Sequence, residues 1–476
     1  MSMRDGITYL LARGLPACVN LGTIAVLSRL LTSVEYGRYS LIITAAGVLN
    51  VFFFSWSAQA VFRYFAASRS DVSKVISTGL AGYAISLLLA SGCAIVLAVV
   101  PSPNVDGTVV VATLALLAML AWLDLTGIMI NLEGKAGKYA GLHLARATAA
   151  MIAGSAAAYL TGLAGFVVVA MALAYASIVV LKPFRSWLGQ ASRKAIDKGL
   201  LSSFSRYGIP LAMSILLMQI ALSADRFVLL LYAGAAAVGG YAVGSDLAQF
   251  AIGAVAGAIS LTHYPKLVAT LEEKGEASAR RQLTDYSVLL LAVILPTAVG
   301  LAAVSGNLLT VMVGENLRQT ATRVMPWTCV AALFAFMKTG LLDYAYQLGK
   351  WPVGSVLIAA LTVAANIVAN LLLIPHLGSI GAAVASAGSM AIGVVACVMV
   401  GRWRKLAYLP VPSVDHLKVV LATLGMLTVL WRLPAGRGSL WLMAQVAVGA
   451  ISYALFCYFL DIRGVKTRRW WRAARW

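Results

Sequence analysis

Long apolar runs dominate this chain and restrict it to one kind of fold. About fourteen runs reach the roughly 20 residues that an α-helix needs to cross a hydrocarbon core about 30 Å thick. Hydrophobic residues fill 61% of the 476 positions and charged residues 11%. Because lipid offers the backbone no hydrogen-bond partners, such runs must be helical. The sequence therefore predicts an all-α polytopic membrane protein with about fourteen transmembrane helices, which begin near Ile7, Tyr39, Thr78, Thr108, Tyr139, Gly165, Phe204, Tyr241, Tyr286, Val324, Trp351, Ile380, Leu417 and Leu440.

The formal net charge of +20 is distributed unevenly among the connections between these runs. If the N-terminus is cytoplasmic, lysine and arginine cluster on the cytoplasmic side, at 182–198, at 266–281 and in the tail at 463–475. This distribution follows the positive-inside rule and predicts that both termini are cytoplasmic. It also explains the positive charge without a nucleic-acid partner. The longest connections, Pro183–Ser203 and His263–Asp285, have about 20 residues each and are too short for a soluble domain.

Two short glycine motifs indicate an internal repeat. Glu35-Tyr36-Gly37 and the stretch 162–165 each have a counterpart roughly 200 residues later, at 238–241 and 378–381. The repeat predicts two six-helix lobes in parallel orientation, at residues 1–203 and 204–405. Residues 406–476 would then hold two additional transmembrane helices and a basic cytoplasmic tail. Lobes related in this way commonly enclose a site and provide alternating access to it.

Three segments resemble the multidrug/oligosaccharidyl-lipid/polysaccharide exporter superfamily, and within it the polysaccharide flippases of the Wzx type. They are residues 27–39 (LSRLLTSVEYGRY), residues 224–241 (ADRF through VGGY) and residues 366–383 (NIVANLLLIPHLGSIGAA). The resemblance implies two six-helix bundles in the bacterial inner membrane. It also implies that the substrate is an undecaprenyl-pyrophosphate-linked oligosaccharide for a surface polysaccharide, lipopolysaccharide or exopolysaccharide. The substrate would move from the inner to the outer leaflet, and polysaccharide polymerase machinery is a candidate partner. Two additional helices make a lipid II-type flippase an alternative.

Ionisable groups inside membrane spans are costly and are usually functional or paired. At 1.5 Å per residue, Asp124 and Arg146 lie toward the same side of the membrane, which predicts an ion pair. A set of cations and amides is the candidate substrate site, because cations bind pyrophosphate and amides bind sugar hydroxyls. The alternatives are that the cations reach the lipid headgroups and that the amides tie helices together. The set comprises Arg13, Arg63, Arg146, Lys338, Asn366 and Asn370.

A second set of charged residues consists of candidates for gating or for ion coupling. Their ion pairs would break when the cavity opens, or one of their carboxylates would bind a proton or Na⁺; structural pairing is the alternative. The set comprises Arg29, Asp124, Asp225, Arg226, Asp246 and Asp343.

Two further function classes compete with the flippase. A cation-coupled multidrug exporter of the same superfamily would favour carboxylates over the cations found here. A membrane-embedded enzyme would need positioned acid, base or nucleophilic groups and a sizeable external loop, and the sequence suggests neither. The five cysteines and four histidines show no metal-ligand spacing, so no metal site and no cofactor beyond coupling H⁺ or Na⁺ is predicted.

Overall fold

The computed structural model describes residues 3–67, 71–99, 107–181, 186–349, 351–406, 408–434 and 436–464. Within these ranges every regular element is helical. Side chains before Gly14, Arg13 among them, lie outside the description, as does the predicted basic tail beyond residue 464.

Fourteen helices account for the described part of the chain, numbered α1 to α14 here. One continuous stretch, Lys198–Met312, leaves helical geometry at Gly234 (φ 78°, ψ 174°) and at Gly275 (φ 78°, ψ −178°), and these breaks separate three helices. The bounds are α1 Met3–Leu30, α2 Ser33–Ala67, α3 Val72–Val99, α4 Gly107–Leu132, α5 Ala136–Thr161, α6 Ala164–Val180, α7 198–233, α8 235–274, α9 276–312, α10 Glu315–Leu348, α11 Pro352–Leu377, α12 Ser379–Trp403, α13 Val414–Arg432 and α14 Ser439–Phe459.

The predicted positions of the apolar runs are confirmed. Each of the fourteen predicted starts lies in a different helix or, for Trp351, directly before one. Ten helical stretches among the described residues are long and apolar enough to cross a membrane, and Gly14–Leu30 and Ala164–Val180 are shorter apolar helices. The stretch Lys198–Ser260 has 63 residues and contains the break at Gly234, so it includes parts of two helices. The connection expected around 263–285 is helical, because α8 and α9 extend through it and meet at Gly275.

The chain divides into two compact units, residues 1–227 and 228–476. In the first unit, α5 packs against α1 and α6, while α4 packs against α2 and α6. In the second unit, α12 packs against α10 and α11, and α13 packs against α14. The lobe boundaries expected at residues 203 and 405 stay predictions.

The two glycine motifs meet in both units. In the first unit the Glu35 carboxylate, at the start of α2, accepts a hydrogen bond from the backbone N–H of Ala164 at 2.8 Å, at the start of α6. In the second unit the Ser379 hydroxyl, at the start of α12, donates to the carbonyl of Ala237 at 3.3 Å, at the start of α8. The repeated sequence motifs therefore join equivalent helix ends in each unit.

The connection before α7 is anchored to the first unit. Trp187 lies in a short 3-10 helix and is almost fully buried in an aromatic cluster. The backbone N–H of Asp197 donates to the Thr78 hydroxyl at 3.2 Å, and the Asp197 carboxylate pairs with Lys74. The hydrogen bond from the Lys74 ammonium holds the pKa of the Asp197 carboxyl below its ordinary value. These contacts fix the segment to α3.

The two additional C-terminal helices are attached to α9 at both ends. At one end the Arg463 guanidinium contacts the Asp285 carboxylate at 2.8 Å. At the other end the Asn307 amide donates to the Gln445 side-chain oxygen at 2.9 Å. Between them the Tyr453 hydroxyl donates to a carbonyl of α9 at 2.6 Å. Helices α13 and α14 are therefore an integral part of the second unit.

Candidate functional site

The predicted ion pair between Asp124 and Arg146 is present in the first unit. Helices α4 and α5 are joined by a tight turn in which Gly134 has a φ of 71°, a conformation that favours glycine. Asp124 lies about 15 Å before this turn and Arg146 about 18 Å after it, at 1.5 Å per residue. The antiparallel helices thus bring the two charges to a similar height, and Arg146 Nη1 lies 3.2 Å from Asp124 Oδ1.

The Asp124 carboxylate joins three helices. Its second oxygen accepts a hydrogen bond from the Asn50 amide of α2 at 2.7 Å. The Arg146 guanidinium also lies over the ring of Tyr175 on α6, with 5.7 Å from Cζ to the ring centroid. The side chains of Arg146 and Asp124 remain 30% and 42% exposed. The pair is therefore not sealed in the core, and its Asp124 carboxylate borders open space in the bundle.

That open space is a cavity of about 340 Å³ in the first unit. Its volume lies at the lower end of the range for small-molecule sites. The Ser55 hydroxyl, which borders the cavity, is buried without a hydrogen-bond partner among the described residues. The lining combines amides, hydroxyls and aromatic rings with one carboxylate, and it includes Asn50, Ser57, Gln59, Tyr83, Asp124, Asn131, Tyr139 and His143. Such a lining suits a polar ligand in an otherwise apolar bundle.

The other candidate residues of the first unit whose side chains are described do not line this cavity. Arg63 is exposed near the end of α2, and its guanidinium lies 4.4 Å from the centroid of the Tyr207 ring. Arg29 is exposed at the end of α1, and Arg13 lies in α1 with its side chain outside the description. Arg226 is buried, and its Nη1 donates to the hydroxyls of Ser40 and Thr44 on α2 at 2.9 and 2.8 Å.

Two further predicted gating residues lie on α7 and α8. Asp225 is only 2% exposed on α7, and Asp246 is half-buried on α8 in the second unit. Their roles in gating or coupling stay predictions.

The second unit contains a buried ion pair on α10. Lys338 Nζ lies 3.1 and 3.2 Å from the two oxygens of Asp343. The Ser355 hydroxyl of α11 donates to Asp343 Oδ1 at 2.7 Å. The pair spans a π-helical turn, Lys338–Leu342, a feature that often occurs at functional sites. The sequence placed Lys338 and Asp343 on one helix but had no signal for the π-turn or for Ser355.

Asn366 and Asn370 are both fully buried. The Asn370 amide donates to the Asn366 side-chain oxygen at 3.0 Å, and the Asn366 amide donates to the Ser389 hydroxyl of α12 at 3.3 Å. The asparagines thus tie α11 to α12, which is the structural alternative to sugar binding. Contact of either side chain with a sugar stays a prediction.

The sequence profile of the polysaccharide biosynthesis protein family matches residues 2–270, more than half of the chain. The chain belongs to this family. No curated protein sequence matches it.

Among solved structures, the fold of this polysaccharide biosynthesis family member is similar to that of the lipid II flippase MurJ in an inward closed conformation. The TM-score is 0.78 at 15% identity, with 97% of this chain and 99% of that chain covered. It also resembles a MATE transporter in complex with MaL6, with a TM-score of 0.57, 14% identity and coverage of 84% and 95%. A transporter of the MOP superfamily from Pyrococcus furiosus gives a TM-score of 0.57, 13% identity and coverage of 84% and 94%.

The family match agrees with the predicted relation to polysaccharide biosynthesis proteins, and the fold is shared with the MurJ and MATE structures. At these identities the structural likenesses establish the fold alone. The site of this polysaccharide biosynthesis family member must therefore be argued from its own residues. Its first unit contributes a cavity with an exposed ion pair, and its second unit contributes a buried one.

Proposed function

We propose that the chain is a flippase that moves an undecaprenyl-pyrophosphate-linked oligosaccharide from the inner to the outer leaflet of a bacterial inner membrane. The supporting observation is membership of the polysaccharide biosynthesis family, combined with a fold similar to that of a lipid II flippase. The product would serve the synthesis of a surface polysaccharide, and polymerase machinery would receive it. Alternating access would carry the headgroup across the membrane.

Arg146 is our principal candidate for contact with the substrate. Its side chain is 30% exposed and pairs with Asp124, which lines the cavity, and only one of its nitrogens contacts Asp124 within hydrogen-bond distance. Guanidinium groups bind phosphate through several parallel hydrogen bonds, so the remaining donors suit a pyrophosphate. The amides and aromatic rings around the same cavity suit sugar hydroxyls and ring faces. Arg63 and Arg13 would receive the anionic headgroup at the cytoplasmic surface.

The proposed topology has both termini in the cytoplasm. Basic residues concentrate on alternate connections, as the positive-inside rule requires for that orientation. One basic cluster lies in the connection before α7, whose Trp187 packs into the first unit. Another lies where α8 and α9 meet.

A lipid II-type flippase is the second candidate. The likeness to MurJ extends over 97% of this chain and therefore includes the region of α13 and α14. The likeness to the MATE transporters extends over 84%. The lipid carrier and the pyrophosphate would be the same in both proposals, and only the glycan would differ. A cation-coupled multidrug exporter would rely on carboxylates, and Asp124 is the one carboxylate among the described residues that line the cavity of the first unit.

Leaflet orientation of the lipid-linked sugars distinguishes these functions. The measurement compares cells that lack the chain with cells that express it, using an impermeant reagent that labels sugars on the outer face. Undecaprenyl-pyrophosphate-linked oligosaccharide that accumulates on the cytoplasmic face and is released by the intact chain would support the proposal. Accumulation of lipid II alone would favour the second candidate. Normal labelling of both lipids, with organic cations retained inside, would refute both.

A further inference from the structure

The ion pair on α10 depends on an unusual backbone geometry. Each residue of an α-helix turns by about 100°, so side chains five positions apart point about 140° away from each other. Lys338 and Asp343 are five positions apart and nevertheless face each other at 3.1 Å. The π-turn between them makes this possible, because its hydrogen bonds join residues i and i+5 and add one residue to the turn. The ion pair and the π-turn therefore stabilise each other.

A second contact supports the same turn from α9. The Tyr286 hydroxyl donates to the carbonyl oxygen of Gly340, in the middle of the turn, at 2.7 Å, and it also hydrogen-bonds to the Ser260 hydroxyl of α8 at 3.0 Å. This contact satisfies a backbone oxygen in the middle of the π-turn. The Tyr286 contact carries no charge, so the ion pair of Lys338 and Asp343 is the part of the turn that binding of a proton changes.

The two members of the pair differ in their access to water. The side chain of Lys338 is 2% exposed and that of Asp343 is 15% exposed. Asp343 supplies the hydrogen-bond acceptors for the Lys338 ammonium in the described part of the chain. If Asp343 accepts a proton, the ammonium loses its counter-charge inside a membrane protein, which is a costly state. The ammonium must then move or lose its own proton.

The titratable neighbours of the pair are uncharged at neutral pH. Cys397 of α12 and Tyr346 of α10 interact with it electrostatically, and both are buried or nearly so. Tyr286 faces the turn from α9. His263 of α8 stacks on the Tyr286 ring at 5.3 Å, and burial lowers the pKa of this imidazole, so it is the neighbour that could compete as the titrating group.

We propose that Asp343 is a proton-binding site whose occupancy sets the register of α10. With Asp343 charged, the pair with Lys338 maintains the π-turn. When Asp343 binds a proton the pair breaks, the turn relaxes to α-helix, and the two ends of α10 rotate relative to each other by about one residue, or roughly 100°. Its use as the coupling step of transport rests on the proposed function, whereas proton binding itself does not.

The relaxation would reach other helices through the last turns of α10. Tyr344 packs against the ring of Tyr264 on α8 at 4.4 Å. The Tyr346 hydroxyl donates to the carbonyl of Cys397 on α12 at 2.7 Å. A rotation of this end of α10 breaks both contacts. A single proton would thereby change how α10 packs against α8 and α12 within the second unit.

Hydrogen–deuterium exchange on the purified full-length protein in lipid nanodiscs tests the proposal without substrate. Exchange times are scaled for the intrinsic effect of pH, and peptides covering 338–348 are followed between pH 4.5 and 8.5. We expect the amide exchange of these peptides to increase in one step as pH falls, because protonation of Asp343 breaks the ion pair and the contacts of α10 with α8 and α12. Asp343→Asn mimics the protonated acid and should give the fast exchange at every pH. A wild-type profile without a step, or a step retained in Asp343→Asn, would overturn the proposal.

Ser355→Ala provides a second test that preserves both charges and should fold normally. Its hydroxyl donates a hydrogen bond to the Asp343 carboxylate, so its loss should weaken the charged form and move the midpoint of the exchange step to higher pH. An unchanged midpoint would contradict the assignment to Asp343. His263→Asn is the matched control for the competing group. A step that disappears in this variant would assign the titration to His263 and refute the proposal.

Leaflet labelling separates this result from the proposed function. A pH step in exchange together with normal orientation of the lipid-linked sugar in cells lacking the chain would reject the flippase and retain the proton site. A flat exchange profile together with the expected labelling defect would retain the flippase and reject the proton site.

Discussion

Replacing Arg146 with methionine tests the cavity of the first unit most directly. Methionine keeps an unbranched apolar side chain but removes the cation that lies 3.2 Å from Asp124 Oδ1. Asp124 would retain its hydrogen bond from Asn50 at 2.7 Å, so the carboxylate would not be left without a partner. The fold should therefore tolerate the change better than transport does.

The expected magnitudes follow from the exposure of the pair. Solvent-exposed ion pairs contribute about 0.2–1 kcal/mol and charge-assisted hydrogen bonds about 1.5–3 kcal/mol, so a pair that is 30% and 42% exposed should contribute about 1–2 kcal/mol. In a unit of this size each 1 kcal/mol shifts the melting temperature by about 2–4 °C, which predicts a decrease of about 2–8 °C. Loss of one charge-assisted hydrogen bond to a pyrophosphate predicts transport about 10–100-fold slower at limiting substrate.

The double variant Asp124→Asn/Arg146→Met separates two explanations. If Arg146 only neutralises Asp124, removing both charges should restore transport. If Arg146 binds the anionic headgroup, as we propose, the double variant should remain as slow as Arg146→Met. Arg38→Met is the matched control, because Arg38 pairs with Glu35 at 2.7 Å outside the cavity, and it should transport normally. Melting temperature in detergent and leaflet labelling in cells are measured for each variant. Normal transport by Arg146→Met, or recovery in the double variant, would refute the assignment.

Three further variants test the packing within the units. Gly208→Ala would place a Cβ 2.1 Å from the carbonyl oxygen of Trp56, so we expect about 1–3 kcal/mol of destabilisation, whereas Gly141→Ala meets nothing within 4 Å and should stabilise α5 by about 0.5–1 kcal/mol. Equal melting temperatures for these two variants would contradict the close approach of α2 and α7. Arg463→Gln removes a pair with Asp285 whose side chains are 22% and 53% exposed, so stability should change by less than about 1 kcal/mol while amide exchange at the end of α14 increases. A loss of folded protein in this variant would contradict the expectation that the Arg463–Asp285 pair stabilises only the end of α14.

The sequence was sufficient to place the helices because each apolar run carries its own signal. A run of spanning length must be helical in lipid whatever its neighbours are, so its position can be predicted without tertiary information. The ion pair of Asp124 and Arg146 was predictable for a related reason. Both residues lie at similar distances from one tight turn, and antiparallel helices joined by a short connection place such residues at the same height.

The features that distinguish the two sites were not predictable. Asn50 reaches Asp124 from a helix 74 positions away in sequence, and Ser355 reaches Asp343 across a helix boundary. For Asn366 and Asn370 the sequence left both sugar contacts and helix contacts open, and only the structure showed their complete burial against α12.

Sequence alone thus determined the class of fold, the positions of the fourteen helices and the family resemblance, because run length, charge asymmetry and motifs are local properties of the chain. The tertiary structure decided which charges are exposed, which are sealed and where a helix departs from α geometry. These properties depend on the rotation of each helix about its axis and on which neighbour it meets. A rotation of 100° moves a side chain from a cavity to the lipid without changing any apolar run. The π-turn between Lys338 and Asp343 likewise leaves the apolar run of α10 unchanged. It is held by contacts from α9 and α11, which the sequence does not indicate.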